Sequence, residues 1–338
     1  MNSLPVFVGL DYHQDSVQVC VLDQAGKRLL NRSVANDAAE IERLATRYGP
    51  PRRIAIEACC GAANLAEELA TVRGLPIEMA HPGYVNRMKR SADKTDFGDA
   101  HLLADLTRIN YLPKVWLAPE SIRQLRRLVR QRAQLVARRK DVKLRIRALL
   151  RENRLRCEFA NAWTKAWHQW LLLEASLSAS DRWIMTDHLE EIRSLSTRII
   201  ATEKQITAAT QDDPVVKRLL ALPGVGLVTA VTLRACVGRF ERFDTGKQLA
   251  RFCGLSPRNA SSGARQADAG LIKAGAPELR QVLIELGNRL AWWMPGRWQE
   301  LASQLQRRGK PRNVIVAAVA NRWVRWLHHE LKRESTSH

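Results

Sequence analysis

Four carboxylates in the first third of the chain have the type and placement to hold a metal ion. Asp11 closes a short apolar run, Phe7 to Leu10, and Glu57 lies near the end of another, Arg53 to Ala58. Asp96 and Asp99 sit three residues apart at the start of a helical pattern. Three apart on a helix means one shared face, and the strand ends of an α/β sheet converge on one edge. Four oxygen donors without His or Cys suit Mg²⁺ or Mn²⁺. Two such ions clamp an in-line displacement at phosphorus. Asp96 and Asp99 could instead only cap a helix and favour its dipole. For any one of the four alone that smaller role outweighs the metal, whereas all four on one sheet edge put the metal first.

Three further groups of residues bear on chemistry. The loop Asn259-Ala260-Ser261-Ser262-Gly263-Ala264-Arg265 offers a hydroxyl, yet from spacing alone a plain polar turn is favoured. It lies in no GxSxG elbow and has no hydrolase-type His/Asp pair nearby, so a Ser262 nucleophile would need activation from elsewhere, for which a metal would serve. Leu222-Pro223-Gly224-Val225-Gly226 opens a helix, where backbone N–H groups at Gly224 and Gly226 could grip a phosphate. An ordinary helix–helix turn fits that segment about as well, until charge tips it toward phosphate. From Arg123 onward a run containing Arg126, Arg130, Arg138, Arg139 and Lys143 is countered only by Asp141 and Glu152. A face that basic reads as a phosphate-backbone contact surface rather than a solvated one. The tryptophans of the last third, Trp292, Trp293, Trp298, Trp323 and Trp326, read as core.

The elements that must position these residues change character along the chain. Residues 1–118 give three strands, a helix, a strand, a helix, a strand and a helix, an α/β layer opening on an antiparallel meander. The expected spans are strands at Phe7–Leu10, Ser16–Asp23, Lys27–Val34, Arg53–Ala58 and Pro76–Ala80. The helices fall at Ala38–Tyr48 with Asn36 as cap, Asn64–Val72 and Lys94–Asn110. No GxGxxG follows the first strand, against a Rossmann fold. Residues 119–212 carry Leu125, Leu128, Leu135, Val142, Ile146 and Leu149 at helical spacing, then a tryptophan cluster, then a second helix from about Asp187 to Thr210. Together they predict a basic helical hairpin or coiled-coil arm. Residues 213–338 read as mainly helical, with an apolar helix over Val228–Val237 and two more after a Gly- and Ser-containing loop near Gly254–Gly270.

Composition narrows the partners. The chain has 338 residues, 46% of them hydrophobic, with 54 Lys and Arg against 34 Asp and Glu, a net charge of +20. Length and apolar content fit two or three domains with full cores, and the charge calls for a polyanion. No apolar run is long enough to span a membrane and the start has no secretory pattern. Six scattered cysteines, none in CxxC spacing, fit a reduced cytoplasmic setting without structural zinc.

The strings GLDYHQDSVQVCVLD, AIEAC and ADKTDFGDAHLLADL resemble the DEDD half of transposases of the insertion sequence one-ten type, a family that includes pilin-gene invertases. LPGVGLVTAVTL, FDTGKQLARFCGLSPRNASSGARQADAGLIKAGAPELRQVL and RRGKPRNVIVAAVANRWVRWL resemble its C-terminal transposase domain. The likeness runs through nearly the whole chain in the family's order. It implies a RuvC/RNase H-like first domain, a helical arm, and a mainly α C-terminal transposase domain with a helix-hairpin-helix-like turn. It further implies that Asp11, Glu57, Asp96 and Asp99 are metal ligands and that Ser262, the serine before glycine, is a nucleophile, although Ala264 stands where the family usually has a second glycine. Implied partners are donor and target DNA, a non-coding bridge RNA, and copies of the chain forming dimers that assemble into tetramers, at the bacterial nucleoid. Two other readings are carried beside this one: a RuvC-like hydrolytic nuclease that needs no serine, and an actin-like ATPase, which would need a glycine-rich loop where Tyr12-His13-Gln14-Asp15 stands.

Overall fold

The computed structural model describes residues 4–89, 95–156, 161–259, 268–272 and 275–335, which form two compact units, Met1–Glu120 and Ser121–His338. In the first, alternation of Val17, Val19 and Val21 buries one face of a meander of β1 (Val6–Tyr12), β2 (Ser16–Leu22) and β3 (Arg28–Ala35). Then follow α1 (Ala38–Ala45), β4 (Pro51–Glu57), α2 (Ala62–Thr71), β5 (Ile77–Ala80), α3 (Pro82–Met88), α4 (Asp96–Arg108) and β6 (Lys114–Val115). The sheet order is β3-β2-β1-β4-β5-β6. β4 runs parallel to β1 and to β5, and the remaining neighbours are antiparallel. The chain therefore forms the meander-first α/β layer expected from its alternation.

Several details differ from expectation, each for a local reason. Asp37, not Asn36, caps α1, its carboxylate accepting from Glu40 N–H at 2.9 Å. A cap must stand next to the first helical residue to reach that donor, and Asn36 stands one place too early. The first and last strands and helices shift by one to three residues, and α1 ends at Ala45 rather than near Tyr48. Neither α3 nor β6 is legible beforehand, because seven residues and two residues give no period to read. Lys94, the expected start of the last helix, lies outside the described residues. Thr95 caps α4, its hydroxyl accepting from Gly98 N–H at 3.2 Å.

The second unit is mostly helix. α5 (Glu120–Glu152) and α7 (Ala179–Thr210) are joined through α6 (Lys165–Leu173). α7 starts well before the expected Asp187, because the Ser178 hydroxyl caps it by accepting from Asp181 N–H. Leu125 and Val129 share a buried cluster with Ile206, Leu135 and Val142 with Leu195 and Ile199, and Ile146 and Leu150 with Met185 and Leu189. Advance along one helix is retreat along the other, so the pair is antiparallel. Then come α8 (Pro214–Leu220), α9 (Leu227–Val237), α10 (Gly246–Phe252), a short hairpin of β7 (Pro257–Asn259) and β8 (Asp268–Leu271), and α11 (Pro277–Trp292), α12 (Arg297–Arg307) and α13 (Arg312–Ser335). Among the described residues three helices rather than two follow β8. Gly296 (φ 127°) after Pro295 and Gly309 (φ 69°) before Pro311 separate the three, where two helices were expected. Trp323 is fully buried and Trp292, Trp298 and Trp326 pack against the same core, as their helical spacing predicts, whereas Trp293 is exposed. No helix among the described residues is long and apolar enough to cross a membrane.

Candidate active site

Register brings the first two carboxylates together. Gly9 pairs with Ala55 and Leu10 with Ile56 across parallel β1 and β4, so Asp11 and Glu57 follow side by side at the carboxyl ends of adjacent strands. Strand alternation puts Gly9 and Asp11 on one sheet face, and Ala55 and Glu57 with them. Gly9 and Ala55 are also the reason a helix can lie there. A Cβ on Gly9 would stand 2.0 Å from the Ala100 carbonyl oxygen and 2.5 Å from the Ala104 nitrogen. Ala55 packs in one cluster with Leu103 and Leu106, and Cys20 and Leu22 of β2 pack with Ala100 and Ala104. Small residues on the sheet and alanines on the helix let α4 settle almost onto the backbone. Its first turn then arrives at the strand ends carrying Asp96 and Asp99.

The contacts there are electrostatic. His13 Nε2 lies 3.3 Å from Asp11 Oδ2 and 3.3 Å from Asp96 Oδ1. One donor atom from each of Asp11, His13 and Asp96 lies within 4.8 Å of the others. Asp99 Oδ2 accepts from Lys89 Nζ at 2.7 Å, with both side chains mostly buried. Burial raises the Asp11 carboxyl above its ordinary range. His13 pulls it back, and the like charges of Asp96 and Asp99 push it up again. Burial also pushes the Cys59 thiol up, with Glu57 and Asp11 adding to the effect, so both carboxylates lie within electrostatic reach of that sulfur.

The structure thus gathers Asp11 and Asp96 directly, sets Asp99 close enough to raise Asp11, and aligns Glu57 beside Asp11 in the sheet. His13 and Lys89 were not singled out from the sequence. One signal was available for His13: it stands two residues after Asp11, hence on the same side of an extended chain. Lys89 follows a helix too short to foresee. The carboxylate cluster is met by the His13 imidazole and the Lys89 ammonium. Its oxygen-rich donors fit a hard divalent cation.

The second unit sorts the basic residues of α5 by what they touch. Arg126 donates from Nε to the Ala235 carbonyl at 2.6 Å, and burial lowers its pKa. Arg130 is largely exposed and lies 3.7 Å from Glu278 Oε1. Arg139 donates to Ser196 Oγ at 3.2 Å. Lys143 lies over the Trp163 ring, 4.6 Å from its centroid. Arg138 is exposed. At the turn before α9, Gly224 has φ 79°, and a Cβ there would meet Met294 Sδ at 2.8 Å. Its carbonyl accepts from Arg289. Gly226, by contrast, faces open space and begins α9 with no side-chain cap. The other end of α9 is supplied with cations: Arg126 on the Ala235 carbonyl and Arg242 on that of Val237 at 2.9 Å. Ser261 and Ser262 lie outside the described residues.

Comparison with known proteins matches this chain in two blocks. A profile for the DEDD transposase of IS110 type, described as a transposase, matches residues 8–154. A second, described as the transposase IS116/IS110/IS902 family, matches residues 216–303. A probable family 20 transposase of Pseudomonas aeruginosa is 29% identical over 97% of both chains. The transposase for insertion sequence element IS1111A of Coxiella burnetii is 26% identical over 94% of this chain and 88% of its own. A pilin gene-inverting protein of Moraxella bovis is 26% identical over 38% of this chain and 42% of its own.

Proposed function

This chain belongs to the IS110 family of transposases and is a DNA transposase, and we propose that it cuts and rejoins DNA through a phosphoserine formed on Ser262, guided by a bridge RNA. The single observation that carries the metal half of this reading is the delivery of Asp96 to Asp11 by a helix lying on Gly9. Asp11, Glu57, Asp96 and Asp99 would hold the divalent cation that a DEDD set implies, Mg²⁺ or Mn²⁺. That cation would neutralise charge developing on the phosphate under attack. The first unit is read as RuvC/RNase H-like, in keeping with its sheet order, and the chain as three functional parts, 1–118, 119–212 and 213–338.

The Ser262 hydroxyl attacks a DNA phosphate, and a serine–phosphate ester replaces the bond to the departing DNA end. The proton of the hydroxyl ends on that departing oxygen. Rejoining reverses the step on a different end, so the bond energy is kept and no ATP is consumed. Ser262 is the serine that the family resemblance singles out. RNA pairing with donor and target DNA, dimers assembling to tetramers, and work at the nucleoid belong to the same reading.

The basic residues fit a polyanion. Gly226 leaves the first-turn N–H groups of α9 without a side-chain cap, an arrangement that accepts phosphate oxygens. Gly224 shapes that turn. Arg130, Arg138, Arg139 and Lys143 lie along α5, where DNA or RNA backbone would meet them.

The test is Ser262→Ala in a strand-exchange assay with denaturing capture of protein–DNA adducts. The variant should lose both adduct and recombinants while still binding nucleic acid. Recombination by Ser262→Ala would remove the serine mechanism. Metal-dependent cutting with no adduct in the native protein would leave a RuvC-like hydrolytic nuclease as the reading.

A further inference from the structure

We propose that His13 is itself a ligand of the divalent cation, so that the site is a mixed nitrogen and oxygen one. This rests on the reading that the carboxylates around Asp11 hold a metal. Three observations carry it.

The first is distance. His13 Nε2 stands 3.3 Å from a carboxylate oxygen of Asp11 and 3.3 Å from one of Asp96. Ligand bonds of about 2.0–2.2 Å place neighbouring donors of a six-coordinate ion about 3 Å apart. The two His13 distances are met by shifts of a few tenths of an ångström, and all three donor atoms lie within 4.8 Å of one another. The second is aim. The His13 side chain is 46% exposed and could turn to solvent, yet its Nε2 points between the two carboxylates. The third is support. The turn that carries His13 is closed by its N–H on the Ser16 carbonyl at 2.9 Å. The Asn36 amide donates to the carbonyls of His13 at 3.2 Å and Gln14 at 3.0 Å, and Asn36 N–H donates to the Asp15 carbonyl at 3.2 Å. The backbone under the imidazole is therefore held from the far end of the meander, as a ligand needs.

A nitrogen donor has a consequence for metal choice. Carboxylates alone suit Mg²⁺, whereas an imidazole favours ions later in the transition series, Mn²⁺ being the mildest of them. The competing role for His13 is that of a counter-charge, which neutralises the carboxylates and leaves when the cation enters.

Electron paramagnetic resonance of the full chain titrated with Mn²⁺ separates the two. Loss of the free-ion signal gives affinity, and spin-echo modulation reports a directly bound nitrogen. The native protein should show a ¹⁴N coupling that converts to a ¹⁵N coupling when its histidines are labelled. His13→Gln should lose the coupling and about tenfold in Mn²⁺ affinity, with a smaller loss for competing Mg²⁺. The labelled native protein gives this readout whether or not the variant folds, and circular dichroism checks the variant. Bound Mn²⁺ without nitrogen coupling, with affinity that still falls in Asp11→Asn, would overturn the His13 ligand and leave the carboxylate site standing. Absence of stoichiometric Mn²⁺ binding would overturn both.

Discussion

Gly9 does what a catalytic residue cannot do for itself: it sets how near the α4 carboxylates come. With the Ala100 carbonyl 2.0 Å from where a Cβ would stand, even Gly9→Ala must push α4 away from the sheet. Overpacking of this kind costs about 1–3 kcal/mol, and the displaced helix carries Asp96 and Asp99 with it. We expect Gly9→Ala to lower stability to denaturant by that amount and to weaken Mn²⁺ binding in the fraction that remains folded. Leu103→Ala is the control. It empties fully buried space on the same helix and should cost about 2–5 kcal/mol while leaving metal affinity near native. Native affinity in Gly9→Ala would mean that the close approach does not govern the site. At this scale the placement of Asp11 and Glu57 at strand ends and of Asp96 and Asp99 in one helical turn was legible in the sequence, because both are local patterns. Lys89 was not, and His13 only through its place two residues after Asp11. Their roles depend on which side of a turn or short helix faces the cluster, and that is decided by contacts far along the chain.

The α5–α7 hairpin shows what periodicity carries and what it leaves out. Its apolar spacing predicts two long helices and a seam, and both form. The buried set differs in phase: Val129 and Leu150 are buried where Leu128 and Leu149 are only partly so. The polar layers within the seam were not legible at all. Arg132 donates to Glu203 Oε1 at 2.7 Å and Arg139 to Ser196 Oγ at 3.2 Å. Seven residues forward on α5 meet seven residues back on α7, which is the spacing of one antiparallel register. Reading such layers requires knowing the partner helix and its offset, and one helix sequence holds neither. Paired polar groups in a seam specify register. A double-mutant cycle of Arg132→Gln and Glu203→Gln should give a coupling of about 1 kcal/mol, the upper end for partly exposed pairs. Denaturation of the four proteins measures it. Additive losses would show that the two side chains stabilise the hairpin separately and that the apolar layers alone set its register.

The net charge of +20 makes polyanion binding certain to depend on salt, but it does not say which cations do the binding. The second unit divides its arginines into those spent on the fold and those left for a partner. Arg126 is committed to the Ala235 carbonyl at the end of α9, and burial lowers its pKa. Arg138 projects from an exposed stretch of α5. Charge patterning placed both in one contact surface, since periodicity marks the apolar seam but not which of the flanking cations a further helix will cover. The two should separate in a salt titration of duplex DNA binding. Neutralising a residue that contacts phosphate reduces the slope of log affinity against log salt by about 0.9. Arg138→Gln should show that reduction with stability unchanged within about 0.5 kcal/mol. Arg126→Gln should leave the slope alone and instead lose about 1–3 kcal/mol of stability, because a buried carbonyl is stripped of its charged donor. Fluorescence anisotropy across a salt series and denaturation of each variant give the two readouts. A reduced slope for Arg126→Gln at native stability would put that side chain on the nucleic acid. The carbonyl contact would then be a resting position that phosphate displaces, and the uncapped start of α9 at Gly226 would be left as the fixed anion contact of that helix.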